Sequence, residues 1–256
     1  MALAAMRGRL ALVALLLALA GAAWWLSAVR MGGMAMGGSG MTAMHGHGMM
    51  TTSTGTYLGT LGWFVVTWVV MMAAMMLPSL APTVALYARI TRQRGLDRAL
   101  LFATGYLLVW GAAGAVAYGL FEAGRALFGH ELAWSRAGSA VAAAVVVLAA
   151  VYQFTPFKDA CLGKCRGPLG FILSAWREGR RGALQMGAHN ALWCLGCCWA
   201  LMAALFALGV MSLAWMAVVA ALIALEKTLP WRRLATGGAS FALLGLAGAL
   251  LAGLAS

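Results

Sequence analysis

Polar residues in this chain come in clumps, and long stretches nearly free of charge lie between them. Seven such stretches stand out, at about 9–29, 57–79, 99–121, 137–155, 184–208, 211–229 and 237–255. Each is close to the roughly 20 residues with which an apolar helix spans the hydrocarbon core. They are rich in Ala and Leu and show no alternation of period two. A closed barrel, the other structure that satisfies its backbone in lipid, therefore does not fit. The pattern predicts an all-α fold: a polytopic transmembrane helical bundle of about seven spans.

Composition agrees with this reading. Hydrophobic residues make up 64% of the 256 and charged residues only 9%, against about a quarter charged in a soluble chain. The net charge of +12 raises the question of a nucleic-acid partner, and the placement of the charges answers it. With the N-terminus in the cytoplasm, the inner side receives Arg7 and Arg9, then Arg89, Arg92, Arg94 and Arg98. It also receives Lys158, Lys164, Arg166, Arg177, Arg180 and Arg181, then Lys227, Arg232 and Arg233. Only Arg30, Arg125 and Arg136 fall outside. A bias of fifteen to three is what orients an inner-membrane protein of a bacterium. The charge sets topology, and no nucleic acid is needed to explain it.

The same pattern divides the chain into three parts. Residues 1–29 form a first transmembrane helix or signal anchor. Arg7, Arg9 and the small residues "ALAGAA" (18–23) also suit a cleaved leader, but the apolar run continues through Trp24, Trp25 and Leu26. Residues 30–56 form a flexible periplasmic loop rich in Gly, Ser and Thr. It carries seven methionines between Met31 and Met50, together with His45 and His47. Residues 57–256 form the transmembrane helical domain. Within its longest cytoplasmic loop, "GPLGFILSAWREG" (167–179) reads as a short interfacial helix.

Candidate chemistry concentrates in "HNALWCLGCCWALM" (189–202). Taking His189 as zero at about 100° per residue, Cys197 falls near 80°, Cys194 near 140° and Cys198 near 180°. The three thiols thus share one helix face, with Asn190 on the same side and His189 about one turn away. Cys194 lies ten residues, or about 15 Å, into the span. For a lone intramembrane cysteine, close packing is the ordinary account. Three on one face after a histidine point to a soft metal, because clustered thiolates select Cu(I), Zn(II) or iron–sulfur clusters.

The other two cysteines form "CLGKC", Cys161 and Cys165, after the fourth stretch. Either a helix aligns them at i, i+4 or a loop folds them around one ion. Lys158, Lys164 and Arg166 nearby favour thiolate, and a reducing cytoplasm disfavours a disulfide. If residues 156–183 fold back on the fifth span, all five cysteines meet. In the second span, Met71, Met72, Met75 and Met76 form a thioether stripe ending at Pro78. Such a stripe is ordinary core filling when alone. Beside the Met/His loop it reads as the middle of a gradient, from weak outer thioethers to inner thiolates. Glu226–Lys227 reads as a snorkelling pair at a helix end, while Gln153 and Asp159 flank Cys161. No nucleophile–base triad, phosphate loop or haem-attachment motif is visible, so an enzyme is not the first reading.

"MMAAMMLPSLAP" (71–82), "YQFTPFKDACLGKCRGPLGF" (152–171), "HNALWCLGCCWALMAALFALGVMSLAWM" (189–216) and "LEK" (225–227) resemble the signatures of a bacterial family. Its members are called predicted metal-binding integral membrane proteins (domain of unknown function 2182). The resemblance spans roughly residues 57–235. It implies an inner-membrane protein with a metal site at Cys161, Cys165, His189, Cys194, Cys197 and Cys198. Thioethers and thiols together favour copper as Cu(I), with zinc as the alternative metal. The expected function is copper transport or delivery. The expected partners are the lipid bilayer, the metal ion, and a soluble copper carrier or larger membrane complex. The competing readings are a membrane thiol–disulfide oxidoreductase and a structural or assembly subunit of a membrane complex.

Overall fold

A computed structural model describes residues 2–37, 57–91, 95–128, 136–209, 213–228 and 232–255. Among these, all regular structure is α-helical. The helices are α1 (Ala2–Gly37), α2 (Tyr57–Ile90), α3 (Gly95–Phe128), α4 (Arg136–Tyr152), α5 (Pro156–Arg166), α6 (Pro168–Ser174), α7 (Gly179–Gly209), α8 (Leu213–Thr228) and α9 (Arg232–Ala255). Every stretch expected to be helical lies largely within a helix. α1 continues beyond 29 to Gly37, and α6 takes the place of the short interfacial helix.

Among the described residues, four segments are long and apolar enough to cross a membrane: Leu10–Val29, Leu61–Ile90, Leu96–Gly124 and Gly179–Leu205. Val141–Tyr152 and Pro156–Arg166, bent by 68°, make a fifth if they form one span. α8, with 16 residues, is about 24 Å long, shorter than the roughly 30 Å hydrocarbon core. The apolar part of α9 is Thr236–Ala249.

The bend between α4 and α5 is written into the local sequence. Pro156 has no N–H to continue the helix and disfavours the helical conformation at Thr155. Thr155 is extended (φ −76°, ψ 142°) and caps the new helix, its hydroxyl accepting from Lys158 N. Pro156 occupies the first turn, where its missing donor costs nothing. Turn hydrogen bonds from Phe154 N to Val151 O and from Thr155 N to Tyr152 O close the corner. α5 then lies against α7. The Tyr152 hydroxyl ties the end of α4 to Gly196 O at 2.5 Å, and the Tyr152 ring meets Trp199 edge-on. Gly179, at φ +78°, opens α7 in a conformation that only glycine adopts readily.

Two devices hold the long helices together. In α2, Pro78 cannot donate to the carbonyl four residues earlier. That carbonyl, Ala74 O, accepts instead from Trp24 Nε1 of α1 at 3.1 Å. In lipid an unsatisfied carbonyl costs several kcal/mol, so the proline and the tryptophan act as a pair. Between α3 and α7 the backbones touch. A Cβ on Gly105 would collide with Leu184 O, and one on Gly187 with Phe102 O. Small residues at helix crossings let packing replace the hydrophobic drive that lipid removes. This crossing puts Tyr106 of α3 beside the cysteine face of α7.

Candidate metal centre

α7 presents Cys194, Cys197 and Cys198 to the bundle interior, and all three are buried. α5 brings up Cys165, which is half-buried, and Cys161, which is buried. All five cysteines are free thiols. The sulfurs of Cys165, Cys194 and Cys197 all lie within 4.8 Å of one another. Cys197 Sγ is 3.8 Å from Cys165 Sγ. Sulfurs about 2.3 Å from a common ion and spread around it stand about 4 Å apart. The trio is therefore close to the size of a three-sulfur metal site.

The remaining predicted residues have different positions. Cys198 Sγ donates to Cys194 O at 2.9 Å, as Cys197 Sγ does at 3.1 Å, but it lies outside the trio whose sulfurs meet within 4.8 Å. Cys161 packs against Gly196, where a Cβ would come within 2.6 Å of its sulfur. His189 is exposed, its ring between Phe171 (5.7 Å) and Trp193 (5.8 Å). Met71, Met72 and Met75 are buried in the apolar core. Met76 alone of the stripe is seen to reach the cluster, its Sδ 3.9 Å from Cys194 Sγ. His45 and His47 lie outside the described residues.

Two polar side chains from other helices, Tyr106 and Lys227, donate to Cys194. The Tyr106 hydroxyl donates to its sulfur at 2.9 Å. Lys227 Nζ donates to the same sulfur at 3.2 Å and to Ser79 Oγ at 3.0 Å. A cavity of about 10 Å³ adjoins them, lined by Ser79, Leu80, Thr83, Tyr106, Cys165, Asn190, Cys194 and Lys227. That is room for one water-sized centre. The arrangement suits a soft cation held on thiolates, with hydroxyl and ammonium donors steadying the sulfur charge.

Glu226 and Lys227 do not pair at a helix end as their sequence suggested. Glu226 turns to Lys158 of α5, whose Nζ donates to both carboxylate oxygens at 2.7 and 2.8 Å. Both side chains are almost wholly buried. Adjacent positions on a helix point about 100° apart, so one residue fastens α5 to α8 while the next reaches the sulfurs. Lys158 is therefore a buried structural charge rather than a loop charge. Neither amide atom of Gln153 has a hydrogen-bond partner among the described residues. Sequence reasoning gave no role to Tyr106 or Ser79. A tyrosine in an apolar span carries no distinguishing signal.

Long apolar helices around a buried sulfur cluster define a membrane-type, metal-binding helical bundle. The PpoB2 family model, described as a copper chaperone, matches residues 65–250, and the chain belongs to that family. No curated protein and no solved structure matches the chain.

Proposed function

We propose that the protein carries copper in the membrane by holding one Cu(I) on the thiolates of Cys165, Cys194 and Cys197. The observation that supports this most is the gathering of three thiol sulfurs within 4.8 Å from two separate helices. Soft thiolates favour Cu(I). Three thiolates and one Cu(I) leave two negative charges, and the Lys227 ammonium beside Cys194 removes one of them. Burying the remainder is less costly than burying an uncompensated cluster. Membership of a copper-chaperone family supports copper over zinc.

In this reading the bundle sits in the bacterial inner membrane with about seven spans and a cytoplasmic N-terminus. The Met/His-rich segment with His45 and His47 collects copper outside. A soluble carrier or larger membrane complex receives or supplies it. The likeness to predicted metal-binding integral membrane proteins fits the same picture. A reporter fused after Arg181 should report cytoplasm, and one inserted near Gly40 should report periplasm.

The deciding experiment is Cu(I) loading of purified protein in detergent, read by X-ray absorption. Copper bound by about three sulfurs is expected, and Cys165→Ser, Cys194→Ser and Cys197→Ser should each weaken it strongly. Cys198→Ser should not. Full copper occupancy in the triple mutant would remove the proposal. A second reading, thiol–disulfide exchange, draws on the 3.8 Å between Cys165 and Cys197 sulfurs. Thiol-exchange activity lost with either cysteine, in protein that binds no copper, would favour it.

A further inference from the structure

Beside its contacts with Cys194 and Ser79, Lys227 makes one that the three-thiolate site does not use, with Met76. Its Nζ lies 3.2 Å from Cys194 Sγ and 3.8 Å from Met76 Sδ. Those two sulfurs stand 3.9 Å apart, again about the spacing of sulfurs around one soft ion. Ser79 Oγ completes the surround at 3.0 Å. A thioether is a weak acceptor and a poor partner for an ammonium. It is a good ligand for Cu(I). Met76 is fully buried, so its sulfur has no water to turn to.

We infer that Met76 and Cys194 form a second soft-cation seat, that the Lys227 ammonium fills it, and that Lys227 thereby limits the site to one copper ion. This rests on Cys165, Cys194 and Cys197 holding the first ion. Cys194 belongs to both seats, so a second Cu(I) would bridge to the first through that sulfur. With the ammonium in place, the incoming ion meets a unit positive charge at contact distance in a low-dielectric interior, where like charges repel strongly. Removing the ammonium removes both the occupant and the repulsion. Loading then forms Cu–Sγ and Cu–Sδ bonds to Cys194 and Met76. Copper stays Cu(I), and the thiol proton of Cys194 has already gone to the buffer with the first ion.

The test is a Cu(I) titration of the full chain in detergent, without oxygen, against a coloured Cu(I)-binding dye. The wild type should take up one ion per chain. Lys227→Gln should take up two, with copper–copper scattering in X-ray absorption. Lys227→Gln combined with Met76→Leu should return to one. Met76→Leu alone, which leaves Lys227 in place, should bind one ion with little change in affinity. One ion per chain in folded Lys227→Gln overturns the inference and leaves the three-thiolate reading standing. A loss of about tenfold or more in Met76→Leu, the size expected for a group that supports the first ion, also overturns it. That arm decides the matter if Lys227→Gln does not fold. No copper in the wild type would instead defeat the three-thiolate reading, and this inference with it.

Discussion

Cys165 and Cys197, 32 positions apart, hold their sulfurs 3.8 Å from each other because α5 folds back along α7. The contact depends on how closely the two helices approach. Gly196 sets that approach, one position before Cys197 and against Cys161.

Gly196→Ala should therefore weaken copper binding without touching a proposed ligand. The new Cβ would stand 2.6 Å from Cys161 Sγ but 3.4 Å from Cys161 Cβ. Cys161→Ala removes the clashing sulfur and leaves a tolerable contact, so the double variant should recover. The first loss is expected to be about tenfold or more, typical of disturbed supporting groups. Dye competition measures both variants. Failure of Cys161→Ala to rescue would mean that Cys161 acts on the metal, not through packing.

Tyr106→Phe deletes the hydroxyl that donates to Cys194 Sγ. The ring stays buried, so thermal stability in detergent should change little. Copper affinity should fall by about tenfold, at the low end for a lost outer-shell partner. Unchanged affinity would show that Lys227 alone suffices to steady the sulfur.

The Lys158–Glu226 pair predicts an asymmetry in stability. Lys158→Ala leaves a buried carboxylate without its cation and should destabilise the protein by about 3–5 kcal/mol. Lys158→Met with Glu226→Leu removes both charges and should cost much less, or nothing. Thermal unfolding of the single and double variants separates the two cases. Equal losses would mean that the pair's geometry, not its charge balance, holds α5 to α8.

Deletion of Met31–Met50 should slow copper uptake by cells when copper is scarce and matter less as copper rises, because weak flexible ligands mainly raise local concentration. The purified variant should still bind copper at its thiols. Equal uptake at every copper concentration would reduce the segment to a tether.

Much of this was legible in the sequence. Apolar runs near span length announce helices, since in lipid a backbone must satisfy itself. Thr155–Pro156 announces a break between two of them. The helical period alone puts Cys194 and Cys197 on one face, because 3.6 residues per turn is a local property of the backbone. Tertiary structure decided what no period contains. It chose Cys165 rather than Cys161 to stand beside Cys197, and it left His189 between two aromatic rings. It sent Glu226 to Lys158 and Lys227 to the sulfurs, and it brought Tyr106 to Cys194 across 88 positions. These contacts follow from the bend at Thr155 and from the backbone approach at Gly105 and Gly187, which fix where whole helices cross. A shift of one residue at either crossing turns a different side chain toward the cysteine cluster.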